Sequence, residues 1–366
     1  MPNATLSPLA PRRATRQISV GGLLVGGNAP ISVQSMSKTD TRDLVATVKQ
    51  INDYVAAGCE IVRVSIPAPE AAKVFSEICA QSPIPIVADI HFDYKLALIA
   101  VDGGAACLRI NPGNIGGQDK IRALAEKAGS KNIPIRIGVN GGSLEKDLLE
   151  KYNDHATPEA MVESAMRHID LLEREGFYNI KISLKASDVI RTVQAYRLLA
   201  KQVDYPFHIG ITEAGTEWGA TIRSCIGLGV LLAEGIGDTI RVSLTGPGEK
   251  ECKVGHELLR SLGLRHGGFR LISCPGCGRL QVDLHRLANE IETELQTINA
   301  DGYTFAVMGC AVNGPGEAKE ADLGVAGGNG EGLLFRHGQL LRKVKEEQIV
   351  TAFLQEARKL VNENGT

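Results

Sequence analysis

Short runs rich in β-branched residues recur eight times in the first two thirds of the chain, and longer segments with helical periodicity separate them. This alternation predicts βα units whose strands pair side by side in a parallel sheet. Eight such units in about 235 residues have the size of a (β/α)8 barrel, or TIM barrel. A doubly wound open sheet is the main alternative, but no glycine-rich dinucleotide fingerprint follows the first run. The runs are residues 31–36, 61–66, 84–90, 106–111, 134–140, 179–185, 206–212 and 239–244.

The βα pattern stops near residues 246–248, where glycine and proline interrupt it. We expect the barrel domain to occupy residues 1–263, with a flexible tail over 1–15 and a small hairpin over 16–29. A smaller α+β domain is expected over residues 264–366. Its pattern predicts strands at 269–273, 303–308 and 321–326, a helix at 279–297, a hairpin at 332–344 and a helix at 345–362.

Polar side chains occupy one face of the predicted barrel strands, whereas the other face is mostly Ile, Val and Leu. Because side chains alternate along a strand, the apolar set would face the helices and the polar set the barrel interior. Barrel enzymes build their sites at the carboxyl ends of the strands, where most of these residues lie. The polar set is Arg63, Ser65, Asp89, His91, Arg109, Asn111, Arg136, Gly138, Asn140, Lys181, Ser183, Lys185, His208, Gly210, Thr212, Arg241 and Ser243.

The charges in this set do not balance. Five cations would share one cavity with two carboxylates, so we expect an anionic ligand such as a diphosphate or bisphosphate to join them. A self-neutralising network is the alternative. The carboxylate that follows the seventh run is a candidate acid–base group, or else a loop carboxylate paired with an arginine. The cations are Arg63, Arg109, Arg136, Lys185 and Arg241, and the carboxylates are Asp89 and Glu213.

Two histidines accompany the charged set. His91 is expected to hydrogen-bond to substrate or to a neighbouring site residue, because no second ligand stands at metal-binding spacing from it. His208 is interpreted either as a satisfied interior histidine or as a site residue.

Three cysteines and a glutamate fall in two Gly/Pro-rich turns of the second domain: Cys274, Cys277, Cys310 and Glu317. A C-x-x-C turn and a third thiolate can hold three corners of an iron–sulfur cubane. The fourth iron would then carry a non-thiolate ligand or stay open, which indicates chemistry rather than electron transfer alone. A structural zinc site, a disulfide between the first two cysteines, and unrelated burial are the alternatives.

Composition excludes several classes of function. A formal net charge of −2 and an aromatic content of 4% argue against nucleic-acid binding. We find no apolar run long enough for a transmembrane helix and no signal peptide, so we expect no membrane association. Eight cysteines without an export signal suit a reducing compartment, and we expect a cytoplasmic protein. The cysteines expected in the core are Cys59, Cys79, Cys107, Cys225 and Cys252.

Four motifs together resemble the 4-hydroxy-3-methylbut-2-en-1-yl diphosphate synthase family, in its compact bacterial form. They are residues 87–92, 183–188, 274–279 and 308–317, and the likeness extends over about residues 12–359. The motifs of the second domain are specific, whereas single barrel motifs are weak on their own. The resemblance implies an iron–sulfur oxidoreductase of isoprenoid biosynthesis. It would open 2-C-methyl-D-erythritol 2,4-cyclodiphosphate reductively, with loss of water.

The resemblance also implies roles for residues. Cys274, Cys277 and Cys310 match thiolate ligands of a [4Fe–4S] cluster, Glu317 matches an exchangeable fourth ligand, and Glu213 matches a proton-handling carboxylate. The positions matching those that hold the cyclic diphosphate are Arg63, Arg109, Asn111, Arg136, Asn140, Lys185, Arg241 and Ser243, with Asp89 and His91 nearby.

Partners follow from the same resemblance. It implies a flavodoxin or ferredoxin as electron donor. It further implies a homodimer in which the cluster domain of one subunit covers the barrel of the other. Two rival functions stay open: a Schiff-base aldolase that uses Lys185, and an iron–sulfur sensor or electron carrier.

Overall fold

The chain divides into two compact units, residues 1–265 and 266–366, each with its own hydrophobic core. Within the described part, no helix is long and apolar enough to cross a membrane. The computed structural model describes residues 9–91, 93–111, 115–312, 316 and 318–363.

The first unit begins with an antiparallel hairpin, β1 (Ile18–Val20) and β2 (Leu23–Val25), as predicted over residues 16–29. Eight parallel strands follow. They are β3 (Ser32–Met36), β4 (Ile61–Ser65), β5 (Ile86–Asp89), β6 (Cys107–Ile110), β7 (Ile135–Asn140), β8 (Ile180–Lys185), β9 (His208–Ile209) and β10 (Thr239–Ile240).

The eight strands form a barrel in the order β8-β7-β6-β5-β4-β3-β10-β9. A parallel bridge between Ile182 and Phe207 joins β8 to the residue before β9, so the two ends of the sheet meet. The predicted TIM barrel is therefore confirmed. The last two strands are shorter than their sequence runs, with two residues each in regular pairing.

Nine described helices belong to this unit and cover the barrel wall. Their starts follow local chemistry: the Asp43 side chain accepts from the Ala46 amide, and the Thr157 hydroxyl accepts from the Ala160 amide, with Pro158 at the first helical position. The helices are α1 (Leu44–Ala56), α2 (Pro69–Gln81), α3 (Tyr94–Asp102), α4 (Gln118–Ser130), α5 (Lys146–Lys151), α6 (Pro158–Glu173), α7 (Val189–Ala200), α8 (Glu217–Ala233) and α9 (Gly248–Ser261).

The barrel wall separates apolar from polar side chains as the alternation predicts. Outward-facing residues such as Val62, Leu108 and Ile137 are fully buried in the core between strands and helices. Removing this apolar surface from water stabilises the unit by about 25 cal/mol per Å². The residues that alternate with them along each strand face the barrel interior, where the polar set lies.

The amino-terminal end of the barrel is covered by the chain's own beginning. The apolar side chains of β1 and β2 pack against Ile61, Val87 and Cys107, at the amino ends of three barrel strands. Upstream of the hairpin, Arg12 forms an ion pair of 2.9 Å with buried Asp238.

A segment within the predicted flexible tail is held by hydrogen bonds. The Ala10 amide donates to the Ala233 carbonyl, and the Arg13 amide donates to the Gly235 carbonyl. Fixed backbone partners of this kind are not expected of a mobile tail.

The second unit is a five-stranded mixed sheet with two described α-helices. Its order is sequential, with the first three strands parallel and the last two antiparallel. The elements are β11 (Arg270–Ser273), β12 (Thr304–Met308), β13 (Leu323–Gly328), β14 (Glu331–Arg336), β15 (Gln339–Lys345), α10 (Leu284–Leu295) and α11 (Ile349–Glu363).

The helix predicted over residues 279–297 begins later than expected. Asp283 is its N-cap, and the Asp283 side chain accepts from the Arg286 amide. Just before it, the Gln281 amide donates to the Gly309 carbonyl at 3.1 Å, so that stretch is held to the β12 side of the unit instead of coiling. Tertiary pairing outweighs helix propensity there.

Candidate active site in the barrel and cysteine turns of the second unit

The carboxyl ends of the barrel strands, here called the barrel mouth, bring the predicted polar residues side by side. Strand register pairs Ser65 with Asp89, Asp89 with Arg109, and Arg109 with Arg136. Asn140, the last residue of β7, is likewise paired with Lys185. Residues paired across neighbouring strands point to the same face, so these side chains share one cavity wall.

Asp89 is the carboxylate that the first group of cations surrounds. Its side chain is 1% exposed, and its oxygens lie 3.1 Å from Arg109 Nη1, 3.7 Å from Arg63 Nε and 3.3 Å from His91 Nε2. Burial alone would raise the pKa of Asp89, but Arg63 and the other cations outweigh it and hold the pKa well below its ordinary range. The carboxylate is therefore ionised at neutral pH.

The path of the Arg109 side chain depends on a glycine. A Cβ atom at Gly138 would lie 2.4 Å from Arg109 Nε, closer than any side chain allows. Arg109 Nη2 lies 3.5 Å from the Gly138 carbonyl oxygen, and the Arg109 side chain is 5% exposed. The absence of a side chain at position 138 thus lets the guanidinium reach Asp89.

Arg136 and Lys181 are paired in register on β7 and β8 and are buried, with exposed fractions of 1% and 0%. Arg136 Nη1 lies 3.5 Å from Gln34 Oε1, across the barrel interior. Lys181 Nζ has no hydrogen-bond partner among the described residues, nor does Arg136 Nε. Burial lowers the pKa of Lys181 to about 8 and that of Arg136 to about 10.

Neither of these two cations has a carboxylate oxygen of the described residues within ion-pair distance, 4.0 Å. A buried charge without a partner is costly in a medium of low polarity. The barrel interior therefore carries a positive surplus that a bound anion would neutralise.

Lys185, the last residue of β8, meets an interior histidine. Lys185 Nζ lies 3.1 Å from His208 Nε2, and His208 Nδ1 lies 2.7 Å from Thr239 Oγ1. Burial, and then the charge of Lys185, hold the pKa of His208 well below its ordinary value. The imidazole is therefore neutral, and its Nε2 accepts from Lys185 when Nδ1 carries the proton. Burial also lowers the pKa of Lys185 strongly, and the arginines around it add to the effect.

Arg241, just after β10, faces a carboxylate that the sequence interpretation missed. Arg241 Nε lies 3.6 Å from Glu251 Oε2, and the Glu251 side chain on α9 is fully buried. Glu251 also accepts from Ser35 Oγ at 2.9 Å and from Lys38 Nζ at 3.0 Å. Asp89 and Glu251 are thus the buried carboxylates that the described residues place among the mouth cations.

Glu213 is not the countercharge that the sequence led us to expect. It is exposed, and no arginine of the described residues forms an ion pair with it. Its backbone φ of 51° lies in the left-handed region, which is unfavourable for a side chain of this kind. The charge balance in the barrel therefore rests on Glu251 instead, while the acid–base role of Glu213 stays a prediction.

The remaining predicted barrel residues lie near the same strand ends. Asn111 follows β6 and is 6% exposed, whereas Asn140 and Ser243 are half-buried. The His91 side chain is 46% exposed, the most open of the group around Asp89. Together they give the charged interior a polar rim.

In the second unit, Cys274 and Cys310 follow adjacent parallel strands, because Ser273 of β11 pairs with Val307 of β12. The Gly309 amide lies 3.4 Å from Cys274 Sγ and donates to it, which brings one cysteine turn onto the other. Cys274 and Cys310 are half-buried and Cys277 is exposed. We call this group of three thiols the cysteine edge.

The two turns of the cysteine edge are joined by packing as well. A Cβ atom at Gly309 would lie 2.1 Å from Leu280 Cδ2, so the glycine makes room for that side chain. The Leu280 amide in turn donates to the Cys277 carbonyl. The residues between the cysteines therefore fix the first turn against the second.

The thiols of the cysteine edge fit an iron–sulfur cluster, because thiolates are its usual ligands and two of the three follow adjacent strands. Amide donation to sulfur, as at Cys274, is what cluster sulfurs receive in proteins. Cys274 and Cys277 are not joined by a disulfide, so that alternative is not the arrangement found. In the described part of the chain, no three His, Cys, Asp or Glu side chains converge as they would for a metal ion. Glu317, the predicted fourth ligand, lies outside the described residues.

Both units match known family models. The GcpE TIM-barrel domain matches residues 15–256, and the GcpE protein C-terminal domain matches residues 270–359. The chain belongs to the GcpE family. The resemblance drawn from the motifs is thereby confirmed.

Several curated relatives of this GcpE chain are named 4-hydroxy-3-methylbut-2-en-1-yl diphosphate synthase (flavodoxin). The relative from Geobacter sulfurreducens is 59% identical over 349 residues, covering 95% of this chain and 98% of the relative. Those from Maridesulfovibrio salexigens and Clostridium acetobutylicum are 54% and 53% identical, covering 96% and 94% of this chain and 98% of each relative.

Among solved structures, dihydropteroate synthase from Stenotrophomonas maltophilia resembles the GcpE chain with a TM-score of 0.50. The match covers 68% of this chain and 98% of that chain, at 13% sequence identity. Similarity at this level concerns the fold alone.

Sequence reasoning missed Glu251 in the GcpE barrel because a lone glutamate on a helix is usually exposed. A signal was present, since Glu251, Gly255 and Leu259 share the buried face of α9 at helical spacing. Gln34 and Met36 were also missed, although their spacing of two along the first strand is a signal that they share one face.

Proposed function

We propose that the protein converts 2-C-methyl-D-erythritol 2,4-cyclodiphosphate to 4-hydroxy-3-methylbut-2-enyl diphosphate, as a step of isoprenoid biosynthesis. The names of its relatives support this product and a flavodoxin as electron donor. Two electrons and two protons enter, the ring carbon–oxygen bond to the diphosphate breaks, and one water leaves.

The observation that carries the proposal is the surplus of buried cations in the barrel. Arg136, Lys181 and Lys185 have no carboxylate among the described residues within 4.0 Å, although all three are at most 8% exposed. A cyclic diphosphate supplies the missing negative charge in a compact form. The planar guanidinium of arginine can donate two parallel hydrogen bonds to phosphate oxygens, whereas the ammonium of lysine acts as a point charge.

The barrel residues would bind the diphosphate and stabilise the charge that develops when the ring opens. Arg63 and Arg109 are fixed by Asp89, so they need no rearrangement to meet phosphate oxygens. The other proposed contacts are Asn111, Arg136, Asn140, Lys185, Arg241 and Ser243, with His91 nearby. Glu213 would hold or deliver a proton at its carboxylate.

Cys274, Cys277 and Cys310 would hold a [4Fe–4S] cluster, with Glu317 as an exchangeable fourth ligand. The cluster would supply single electrons and a Lewis-acid iron. The amide at Gly309 would stabilise the thiolate of Cys274 through its hydrogen bond. Residues 264–366 would form this cluster domain, and residues 1–263 the substrate domain.

The proposal extends to the setting of the enzyme. It would work in the cytoplasm, accept electrons from flavodoxin or ferredoxin, and act as a homodimer whose site is shared between chains. A shared site is testable by mixing. Subunits of Arg136→Met and of Cys310→Ser should recover some activity together, and no recovery would argue against sharing.

The main test is anaerobic purification followed by iron and sulfide analysis and a turnover assay. The wild-type protein should contain about four irons and four sulfides per chain. It should convert the cyclodiphosphate with a chemical reductant and with reduced flavodoxin. Full cluster content without turnover, or turnover by iron-free protein, would overturn the proposal.

A Schiff-base aldolase is the second candidate, because burial lowers the pKa of Lys185 at the end of a barrel strand. A neutral amine there could attack a carbonyl. Borohydride with a panel of phosphorylated aldehydes and ketones should trap an adduct on Lys185 if this candidate is right. Lys181→Met is the matched control that leaves Lys185 in place, and absence of trapping would eliminate the candidate.

A further inference from the structure

Glu251 joins several parts of the barrel mouth. Its Oε2 accepts from Ser35 Oγ at 2.9 Å and lies 3.6 Å from Arg241 Nε. Its Oε1 accepts from Lys38 Nζ at 3.0 Å and from the Leu244 amide at 3.2 Å. These groups come from β3, the segment after it, and the segment after β10.

The carboxylate itself is held firmly. Its side chain is fully buried and its two oxygens have three hydrogen-bond donors besides the arginine. Lys38 is anchored in turn, because Nζ also donates to the carbonyl oxygens of Leu244 and Gly246. A buried anion with this many partners has one orientation available to it.

Arg241, in contrast, has little else to fix it. Arg241 Nε has no hydrogen bond among the described residues, and its Nη1 has a weak sulfur contact at 3.8 Å with Met36. The side chain is 14% exposed, although Nε itself is buried. The direction of the guanidinium therefore depends on attraction to Glu251.

We propose that Glu251 is a positioning residue that aims Arg241 at the anion bound in the barrel mouth. The inference rests on the proposed function in one respect, namely that this anion is a diphosphate. The role is distinct from a pure field effect. Removing a negative charge from a cationic cavity would by itself tighten anion binding, whereas releasing Arg241 loosens it.

The test compares Glu251→Gln with the matched control Glu257→Gln, an exposed glutamate on the same helix α9. Glutamine keeps the volume and one acceptor oxygen but loses the charge. We expect the Kd of inorganic pyrophosphate, measured calorimetrically, to rise about tenfold in Glu251→Gln. The KM for the cyclodiphosphate should rise similarly while kcat changes less than about threefold. Glu251→Asp should restore part of the affinity, and Glu257→Gln should equal wild type.

A double substitution decides whether the effect passes through Arg241. In an Arg241→Met background, Glu251→Gln should no longer weaken pyrophosphate binding, because only the effect of the lost negative charge remains. Tighter binding in the single variant, or an equal loss in both backgrounds, overturns the positioning role. A fall in melting temperature and kcat with an unchanged KM overturns it as well, since that is the result of a purely structural role.

The same experiment separates failure of this inference from failure of the proposed function. If wild-type protein does not bind pyrophosphate, the anion site itself is wrong. If wild type binds and Glu251→Gln binds equally well, only the positioning role is lost. Should Glu251→Gln fail to fold, Ser35→Ala replaces it, because Ser35 orients the same oxygen that faces Arg241. A rise of about threefold in Kd supports the inference, and an unchanged Kd in folded Ser35→Ala overturns it.

Discussion

The barrel mouth and the cysteine edge both present reactive side chains at the carboxyl ends of parallel strands, yet they are organised differently. In the mouth, ion pairs and strand register hold charged groups in place, as Asp89 does for Arg109 at 3.1 Å. At the cysteine edge, the thiols stand on turns, and Cys277 is exposed. The barrel thus organises its groups through its own fold, whereas the proposed cluster would draw the thiols together on binding.

The largest effect is expected at the cysteine edge. Cys310→Ser removes one of three thiolates, so the cluster should be lost and turnover abolished, as measured by iron content and product formation after anaerobic purification. Cys225→Ser is the matched control, since Cys225 is also a half-buried cysteine but lies on α8. Full iron content in Cys310→Ser would mean that the cluster is held elsewhere.

Glu317 tests whether the fourth ligand is replaceable. Glu317→Ala should keep iron and sulfide near wild-type levels, because three thiolates remain, while turnover falls about 100-fold. Cluster content is measured by metal analysis and by visible absorption. Unchanged turnover would remove Glu317 from the proposed ligand set, and complete loss of iron would make it structural rather than exchangeable.

Two arginines test the preorganisation of the mouth. Arg136→Met and Arg109→Met should each weaken pyrophosphate binding about tenfold or more, because each removes a charged donor. The melting temperature should rise above the wild-type value in Arg136→Met and fall below it in Arg109→Met. Loss of Arg136 relieves a buried, unpaired charge, whereas loss of Arg109 leaves Asp89 with a weaker set of partners. Equal destabilisation by both substitutions would contradict the ion-pair assignment.

Lys181 provides the smallest effect, on stability rather than turnover. Burial lowers its pKa from 10.5 to about 8, so the folded chain binds fewer protons than the unfolded chain between these values, and stability rises with pH there. Below pH 8 Lys181 is charged in the folded chain, so the full free-energy cost of burying its charge is present. Lys181→Met should therefore raise the unfolding free energy by about 2 kcal/mol at pH 7. The gain should shrink between pH 8 and 10.5 in denaturant titrations, and a gain that does not depend on pH would contradict the assignment.

Sequence patterns predicted the strands well because the barrel wall has an apolar outer face and a polar inner face, which imposes alternation on each strand. The same alternation placed Asp89, Arg109 and Arg136 in one cavity, as the register confirms. The GcpE family was recognisable from short motifs. These predictions share a basis in local spacing, which a single sequence displays directly.

Other features depend on contacts between distant segments, and the sequence does not display them. Glu251 accepts a hydrogen bond from Ser35, which lies 216 positions earlier in the chain, and no local sequence pattern predicts that contact. Glu213 was expected inside the cavity because it follows a strand, but its backbone turns through a left-handed conformation and the residue is exposed. The helix expected from residue 279 gave way to a backbone contact with Gly309, for the same reason.

The space that Gly138 leaves for the Arg109 side chain offers a way to separate the orientation of the guanidinium from its charge. A methyl group added there would push the Arg109 guanidinium aside while every ionisable group in the barrel stayed in the protein. Gly138→Ala is therefore an isoelectric perturbation: net charge and long-range steering of an approaching anion are preserved, and only the docking geometry changes. In such a variant the association rate of an anion, which depends on the electrostatic field, should stay unchanged. Its residence time, which depends on contacts with the Arg109 guanidinium, should shorten.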